Sequence, residues 1–260
     1  MTFTPRLTKL RDGLEIPTVG LGTLQVTDKN ALKAIVKDSI KVGYRHIDTA
    51  SVYNNEDMIG EVLQEIFSDE SFGVKRGDIW ITRTKGLDPQ DPQNKANRIE
   101  NWRALEDLQE KKLIRTIGVS NYQIRHLSEL KDYARVLPTV NQCEFHPLLF
   151  TKDLVEYSQS LGIAFQAYSS LGEGSLVDGS HKLPVLDEIA SNHGASIAQI
   201  LLSWGMQHGA IILPKSSSKK RLIENFESQK ITLTEKEMAA INDISSTQTK
   251  RFIWDSNTIL

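Results

Sequence analysis

The chain of 260 residues has almost no cysteine, no long apolar run and almost no net charge. Cys143 is the single cysteine, so no intrachain disulfide forms and a reducing compartment is expected. No stretch approaches the ~20 apolar residues of a membrane span, and Met1-Thr-Phe-Thr-Pro5 lacks the basic-then-apolar pattern of a signal peptide. The expectation is a cytoplasmic protein without a membrane partner. Basic residues number 31 against 33 acidic ones, which gives no reason to expect nucleic acid as a partner. No Gly-x-Gly-x-x-Gly follows a strand-like run, so the usual dinucleotide fingerprint is missing. His146-Pro147 follows a strand-like run, but no second His or Cys lies at ligand spacing, and no metal is expected.

What is present is ordinary globular composition, 39% hydrophobic and 25% charged. Strand-like and helix-like segments alternate along the whole length, which argues for an α/β fold with a parallel sheet. Seven strands are expected, near residues 19, 47, 80, 117, 140, 165 and 212. Helices are expected over 30–42, 54–67, 101–112, 127–133, 151–161, 183–194, 196–209, 219–226 and 234–244. Thr234-Glu-Lys-Glu237 is a capping box opening the last of these. Residues 83–99 are polar and turn-rich, with no apolar period. The length suits one domain, residues 1–260. A doubly wound sheet is not excluded by the alternation, but polar residues cluster just past the strand ends: Asp48, Ser120-Asn121, Gln142, Tyr168-Ser169 and Lys215-Ser216. In a (β/α) barrel such positions converge on the C-terminal face, where the chemistry sits.

The segment Gly43-Tyr-Arg-His-Ile-Asp48-Thr-Ala-Ser-Val-Tyr53-Asn-Asn-Glu56 puts a carboxylate at a strand end and a phenol in the following loop. A phenol titrates near ~10 in isolation, so it needs neighbouring charge to donate a proton near neutrality. Singly, Asp48 also reads as a buried structural carboxylate, Tyr53 as a packing residue, Ser120-Asn121 as a turn and Gln142 as a satisfied core amide. Leu213-Pro-Lys215-Ser216-Ser-Ser-Lys219-Lys220-Arg221-Leu-Ile-Glu224-Asn225 is a strand end, a cationic hydroxyl-rich loop and a helix start. Such a place favours an anion; a solvated basic loop is the bland alternative.

Together these segments resemble the aldo-keto reductase superfamily. The resemblance is carried by Gly20-Leu-Gly-Thr23, the 43–56 segment, Ile117-Gly-Val-Ser-Asn121, Val140-Asn-Gln-Cys-Glu-Phe-His-Pro147, Ala167-Tyr-Ser-Ser-Leu-Gly172, and Leu213-Pro-Lys-Ser216 with Arg221, Glu224 and Asn225. It implies a TIM-type barrel that binds NADPH and reduces a small aldehyde or ketone, and it gives each residue an expected role. Tyr53 is the general acid, and Asp48 pairs with a lysine that lowers the tyrosine pKa. Gly22, Thr23, Ser120, Asn121, Gln142, Tyr168, Ser169, Leu171, Lys215, Ser216, Arg221, Glu224 and Asn225 surround the cofactor. Within that set, Ser120, Asn121 and Gln142 hold the nicotinamide amide and Tyr168 stacks on its ring. Lys215, Ser216 and Arg221 hold the 2′-phosphate, and Glu224 and Asn225 the adenine. A monomer is expected.

The chain departs from the family where a strand should end in Thr/Ser-Lys and the next in His-Trp-Pro. Asp78-Ile-Trp-Ile-Thr82 runs instead into Arg83-Thr84-Lys85-Gly86, and no His-Trp-Pro occurs. One helix-strand unit is missing, and with it the catalytic histidine. The lysine slot falls on Thr84; Lys85 is one residue late, and the two-residue strand period turns it to the other face unless a bulge intervenes. The expectation is a shortened barrel of seven strands with impaired chemistry. The alternative is a catalytically weak NADPH-binding sensor or scaffold. A sugar or phosphoester lyase is disfavoured, since neither a metal set nor a Schiff-base lysine constellation is visible. The tail after Arg251 is short, so the wall it builds over the barrel is expected to be incomplete.

Overall fold

A computed structural model describes residues 5–84, 91–253 and 255–259. Its core is a ring of short parallel strands flanked by helices. Two strands not expected from the sequence come first, β1 (Leu7–Lys9) and β2 (Glu15–Pro17), an antiparallel hairpin in register Leu7↔Pro17. Gly13 sits at its turn with φ +87°, which a side chain would strain. Leu10 and Ile16 are buried against Ile211, with Trp80, Val140 and Ala164 packed around them. The hairpin therefore plugs the N-terminal end of the barrel.

The seven parallel strands follow: β3 (Leu21–Gly22), β4 (His46–Ala50), β5 (Trp80–Thr84), β6 (Val119–Ser120), β7 (Val140–Glu144), β8 (Ala164–Tyr168) and β9 (Ile211–Ile212). They pair in the orders β3-β4-β5 and β6-β7-β8-β9. The two sheets meet where Gly20 N–H donates to Ile212 O (2.8 Å) and Ile212 N–H to Thr18 O (2.8 Å), across the bridge Val19↔Ile212. Gly22 is required at this seam, because a Cβ there would lie 2.7 Å from Leu213 O. Among the described residues nothing pairs β5 with β6, so the ring is open at that one place. Arg115 spans the gap near its base, donating to Gly77 O (2.9 Å) and lying over the Trp80 ring.

The helices are α1 (Lys29–Val42), α2 (Glu56–Ser68), α3 (Asn94–Glu110), α4 (Ile124–Leu130), α5 (Lys152–Ser160), α6 (Pro184–His193), α7 (Ile197–Gln207), α8 (Lys219–Glu227), α9 (Glu235–Asn242) and α10 (Ile244–Thr247). The Thr234–Glu237 capping box is formed. The expected start of α3 is too late by seven residues. Its buried stripe is Asn94, Arg98, Trp102 and Glu106, at helical spacing but mostly polar. Arg98 pairs with Glu129 (3.2 Å), and Glu106 accepts from the N–H groups of Arg135 (2.6 Å) and Val136 (2.9 Å). Paired polar groups thus occupy the face that apolar residues would have marked. Among the described residues no helix is long and apolar enough to cross a membrane.

Candidate active site

The C-terminal ends of the strands gather the polar residues singled out above. Asp48 lies near the end of β4 and is 4% exposed. The loop beyond it is fixed by Asn55, a residue the sequence did not single out. Asn55 accepts from Thr49 Oγ1 (2.8 Å) and donates to Thr23 O (2.9 Å), while Thr23 Oγ1 donates to Asp48 O (2.8 Å). This bracing carries the 3-10 turn Ser51–Tyr53, which presents Tyr53 and is closed by Asn54 in the left-handed region (φ +52°).

Inside the barrel Asp48 Oδ1 accepts from Gln142 Nε2 (2.8 Å), which also donates to Gln166 Oε1 (2.8 Å). Gln166 Nε2 reaches His46 Nε2 (3.4 Å), and Thr82 Oγ1 lies 2.6 Å from the same nitrogen. His46 Nδ1 faces Pro17 O (3.4 Å). Two donors on Nε2 and an acceptor on Nδ1 suit a neutral ring protonated at Nδ1. Burial fits this, lowering the His46 pKa to about 4. Burial also raises the Asp48 carboxyl to about 7, against the opposing hydrogen bond from Gln142. Tyr53 is pushed up to about 12 by burial, then by the charges of Asp48 and Glu173. Among the described residues no cation pairs with Asp48. Thr82 lies opposite Asp48 in the β4–β5 ladder and Thr84 opposite Ala50. Thr84 therefore shares the inward face of Thr82. Lys85 lies outside the described residues.

Around this centre, Ser120 Oγ donates to Gln142 O (3.0 Å), Asn121 Nδ2 to Ser120 Oγ (3.2 Å) and Tyr168 O–H to Asn121 Oδ1 (2.9 Å). Asn121 and Ser169 both hold positive φ, +62° and +52°. Ser169 Oγ donates to Glu173 Oε1 (3.1 Å), and Leu171 is half-buried beside them. Beyond β9, Lys215 in the loop and Arg221 in the first turn of α8 are exposed, with no ion-pair partner among the described residues. Ser216 is buried and bonded to the backbone of Ser218 (N–H to Oγ, 3.0 Å). Ser218 opens α8 without a side-chain cap bond, so its side chain accepts from none of the first-turn N–H groups. Glu224 lies 3.7 Å from Lys220, and Asn225 is buried. Gln142 makes the internal bonds of a core amide. Gln166 and His46 were not legible as members of the site, because their partners come from strands far away in sequence. His146 is structural in geometry: its Nε2 donates to Glu144 Oε1 (2.9 Å). Among the described residues no cluster could hold a metal ion.

A parallel (β/α) barrel with acid, phenol and amides at its C-terminal face, and a cationic helix start beyond the last strand, defines a class of barrel enzyme. The Aldo/keto reductase family model matches residues 18–101 and 87–246. The chain belongs to that family. It is 39% identical to the uncharacterized oxidoreductase YtbE of Bacillus subtilis (strain 168), covering 91% of each chain, and 36% identical to the glyoxal reductase of the same organism, covering 91% of this chain and 92% of that protein. An aldo-keto reductase of Bombyx mori, crystallised in complex with NADP, superposes with TM-score 0.84 at 28% identity, over 98% of this chain and 97% of that one. The YtbE alignment runs over 263 positions but takes in 91% of this chain, about 237 residues. About 26 aligned positions therefore have no residue here. The two stretches matched by the family model meet at residues 87–101, directly after β5.

Proposed function

We propose that this chain is an NADPH-dependent reductase of small aldehydes or ketones whose proton-donating step is weakened. NADPH would supply the hydride to the carbonyl carbon. Tyr53 gives its phenolic proton to the carbonyl oxygen. The cationic end of the site suits the cofactor: exposed Lys215 and Arg221 flank an uncapped helix start, a donor set matched to the phosphate that distinguishes NADPH from NADH. Ser120, Asn121 and Gln142 would face the nicotinamide amide. Gln142 Oε1 makes no bond among the described residues and is left to accept from it.

The observation that carries the weakened step is a buried Asp48 and a half-buried Tyr53 with no cation on Asp48 among the described residues, which leaves the phenol at about 12. The gap of about 26 positions supports a missing helix-strand unit. An average helix of ~11–12 residues, a strand of ~5–6 and their connections come to that size.

The test has two parts. Fluorescence titration should show NADPH binding, and Arg221→Ala should weaken it ~10–100-fold while leaving NADH binding unchanged, the usual range for a charge-assisted hydrogen bond. Oxidation of NADPH with a small aromatic aldehyde should run ~10²–10⁴-fold below that of an enzyme with an intact acid, the scale of general acid catalysis. Ordinary turnover would sink the weakened step. Binding with no turnover at all would favour the second reading, an NADPH sensor or scaffold, which the intact cationic end beside a Tyr53 with no cationic helper among the described residues supports.

A further inference from the structure

Glu144 ends β7, is 2% exposed and has no role in the mechanism above. Its carboxylate accepts three hydrogen bonds. His146 Nε2 (2.9 Å) and the backbone N–H of Phe252 (2.6 Å) donate to Oε1, and the N–H of Ile253 (3.1 Å) donates to Oε2. Burial pushes its pKa up, but these donors outweigh burial and hold it below the usual carboxylate range. A buried carboxylate is costly unless saturated in this way, and two of the three donors come from more than 100 residues away.

Those two donors belong to the C-terminal tail, residues 250–253 and 255–259. Lys250 N–H donates to Leu148 O (2.9 Å). The Phe252 ring meets His146 edge-on at 5.0 Å and rests on Gly172, where a Cβ would come within 2.9 Å of it. At the far end Ser256 Oγ accepts from Gln123 Nε2 (2.5 Å), Arg125 donates to Asn257 O (2.8 Å) and to Ile259 O, and His126 Nε2 lies 3.2 Å from Ile259 O. The tail thus runs from the ends of β7 and β8 to the start of α4, which follows β6. Its described residues are tied down both at 250–253 and at 256–259. Beyond Asn257 a cavity of about 470 Å³ opens between the starts of α4 and α5, so space lies on its far side.

We infer that Glu144 is a positioning residue: by clamping Phe252 and Ile253 it holds the tail as the substrate-side wall of the barrel mouth. The clamp stands on this geometry, and the substrate role rests on the carbonyl-reductase reading. In Glu144→Ala, hydrogen exchange at the Phe252 and Ile253 amides should speed up at least ~10-fold, the loss of a buried charge-assisted bond, with the β4 amides unchanged. KM for a bulky aromatic aldehyde should rise ~10-fold, while kcat and NADPH affinity stay within ~3-fold, and Glu144→Gln, which keeps one acceptor oxygen, should fall between. Ile253→Pro, which removes one donor from the tail side without touching the barrel, should move exchange and KM in the same direction. It decides the matter if Glu144→Ala fails to fold. Unchanged exchange at residue 252 in a folded variant overturns the clamp. Faster exchange with unchanged KM overturns the wall. A wild-type chain with no turnover overturns the carbonyl-reductase reading and the wall with it, and the exchange measurement alone then decides the clamp.

Discussion

Thr84→Lys is expected to raise aldehyde turnover at least tenfold. Thr84 lies on β5 opposite Ala50, two residues beyond the Asp48↔Thr82 pair, and shares the inward face of Thr82, whose hydroxyl touches His46. Two strand residues span ~6.6 Å, within reach of a lysine side chain. An ammonium ~4 Å from a carboxylate at an effective dielectric of ~20 is worth ~4 kcal/mol, or about three pKa units. That is the size of the burial effect that holds Asp48 near 7. The new cation would keep Asp48 ionised and draw the Tyr53 pKa down from about 12. The gain should appear in kcat and vanish in the Thr84→Lys, Tyr53→Phe double variant. NADPH oxidation at pH 7 with matched cofactor saturation is the measurement. No gain in a folded variant that still binds NADPH would show that a cation at this position is not what limits the step. A gain that survives Tyr53→Phe would remove Tyr53 as the donor.

The seven parallel strands were legible because short apolar stretches alternate with helical ones and polar residues gather at or just past their ends, as at Ile47-Asp48 and Val119-Ser120. The N-terminal hairpin was not: its strands have three residues each, and β2 ends in Pro17, so neither shows a period. The start of α3 was hidden by Asn94, Arg98 and Glu106 on its buried face, where ion pairs and N–H groups replace apolar contact. At the site, Asp48 and Tyr53 could be found because they lie five positions apart, one on a strand and one in the turn that follows it. The Asp48–Gln142–Gln166–His46–Thr82 chain of hydrogen bonds could not, since it depends on the register of four strands and on which side chains face inward. The same network shows what the barrel does without a closed ladder. Gln142 on β7 bonds Asp48 on β4, and Gln166 on β8 reaches His46 on β4, so side chains tie the two sheets together through the interior.

Burial, only partly offset by the hydrogen bond from Gln142, makes Asp48 a cost to stability at neutral pH, and Asp48→Asn should show it. The folded chain holds the Asp48 proton up to about 7, against an ordinary value of 3.8. The raised pKa means that this group's contribution to stability is complete below pH 3.8. It is lost as pH rises through about 7, by about 4 kcal/mol at ~1.4 kcal/mol per unit. Asparagine keeps the oxygen that accepts from Gln142 Nε2 and never ionises. The variant should therefore melt higher than the wild type at pH 8, by about 10 °C for a chain of this size at ~2–4 °C per kcal/mol, and match it at pH 4. His46 runs the other way: its folded pKa of about 4 lies below the usual 6.5. Its contribution is present above 6.5 and lost as pH falls through about 4. Both proteins carry His46, so it cancels in the difference between their melting curves and leaves Asp48 alone. Adding Thr84→Lys closes a double-mutant cycle. With Asp48 present, the lysine should flatten the loss between pH 5 and 8; in the Asp48→Asn background the same lysine has no partner and should destabilise. Parallel melting curves for wild type and Asp48→Asn across pH 4–8 would mean that Asp48 is already ionised and paired in the folded chain. The weak acid at Tyr53 would then need another cause.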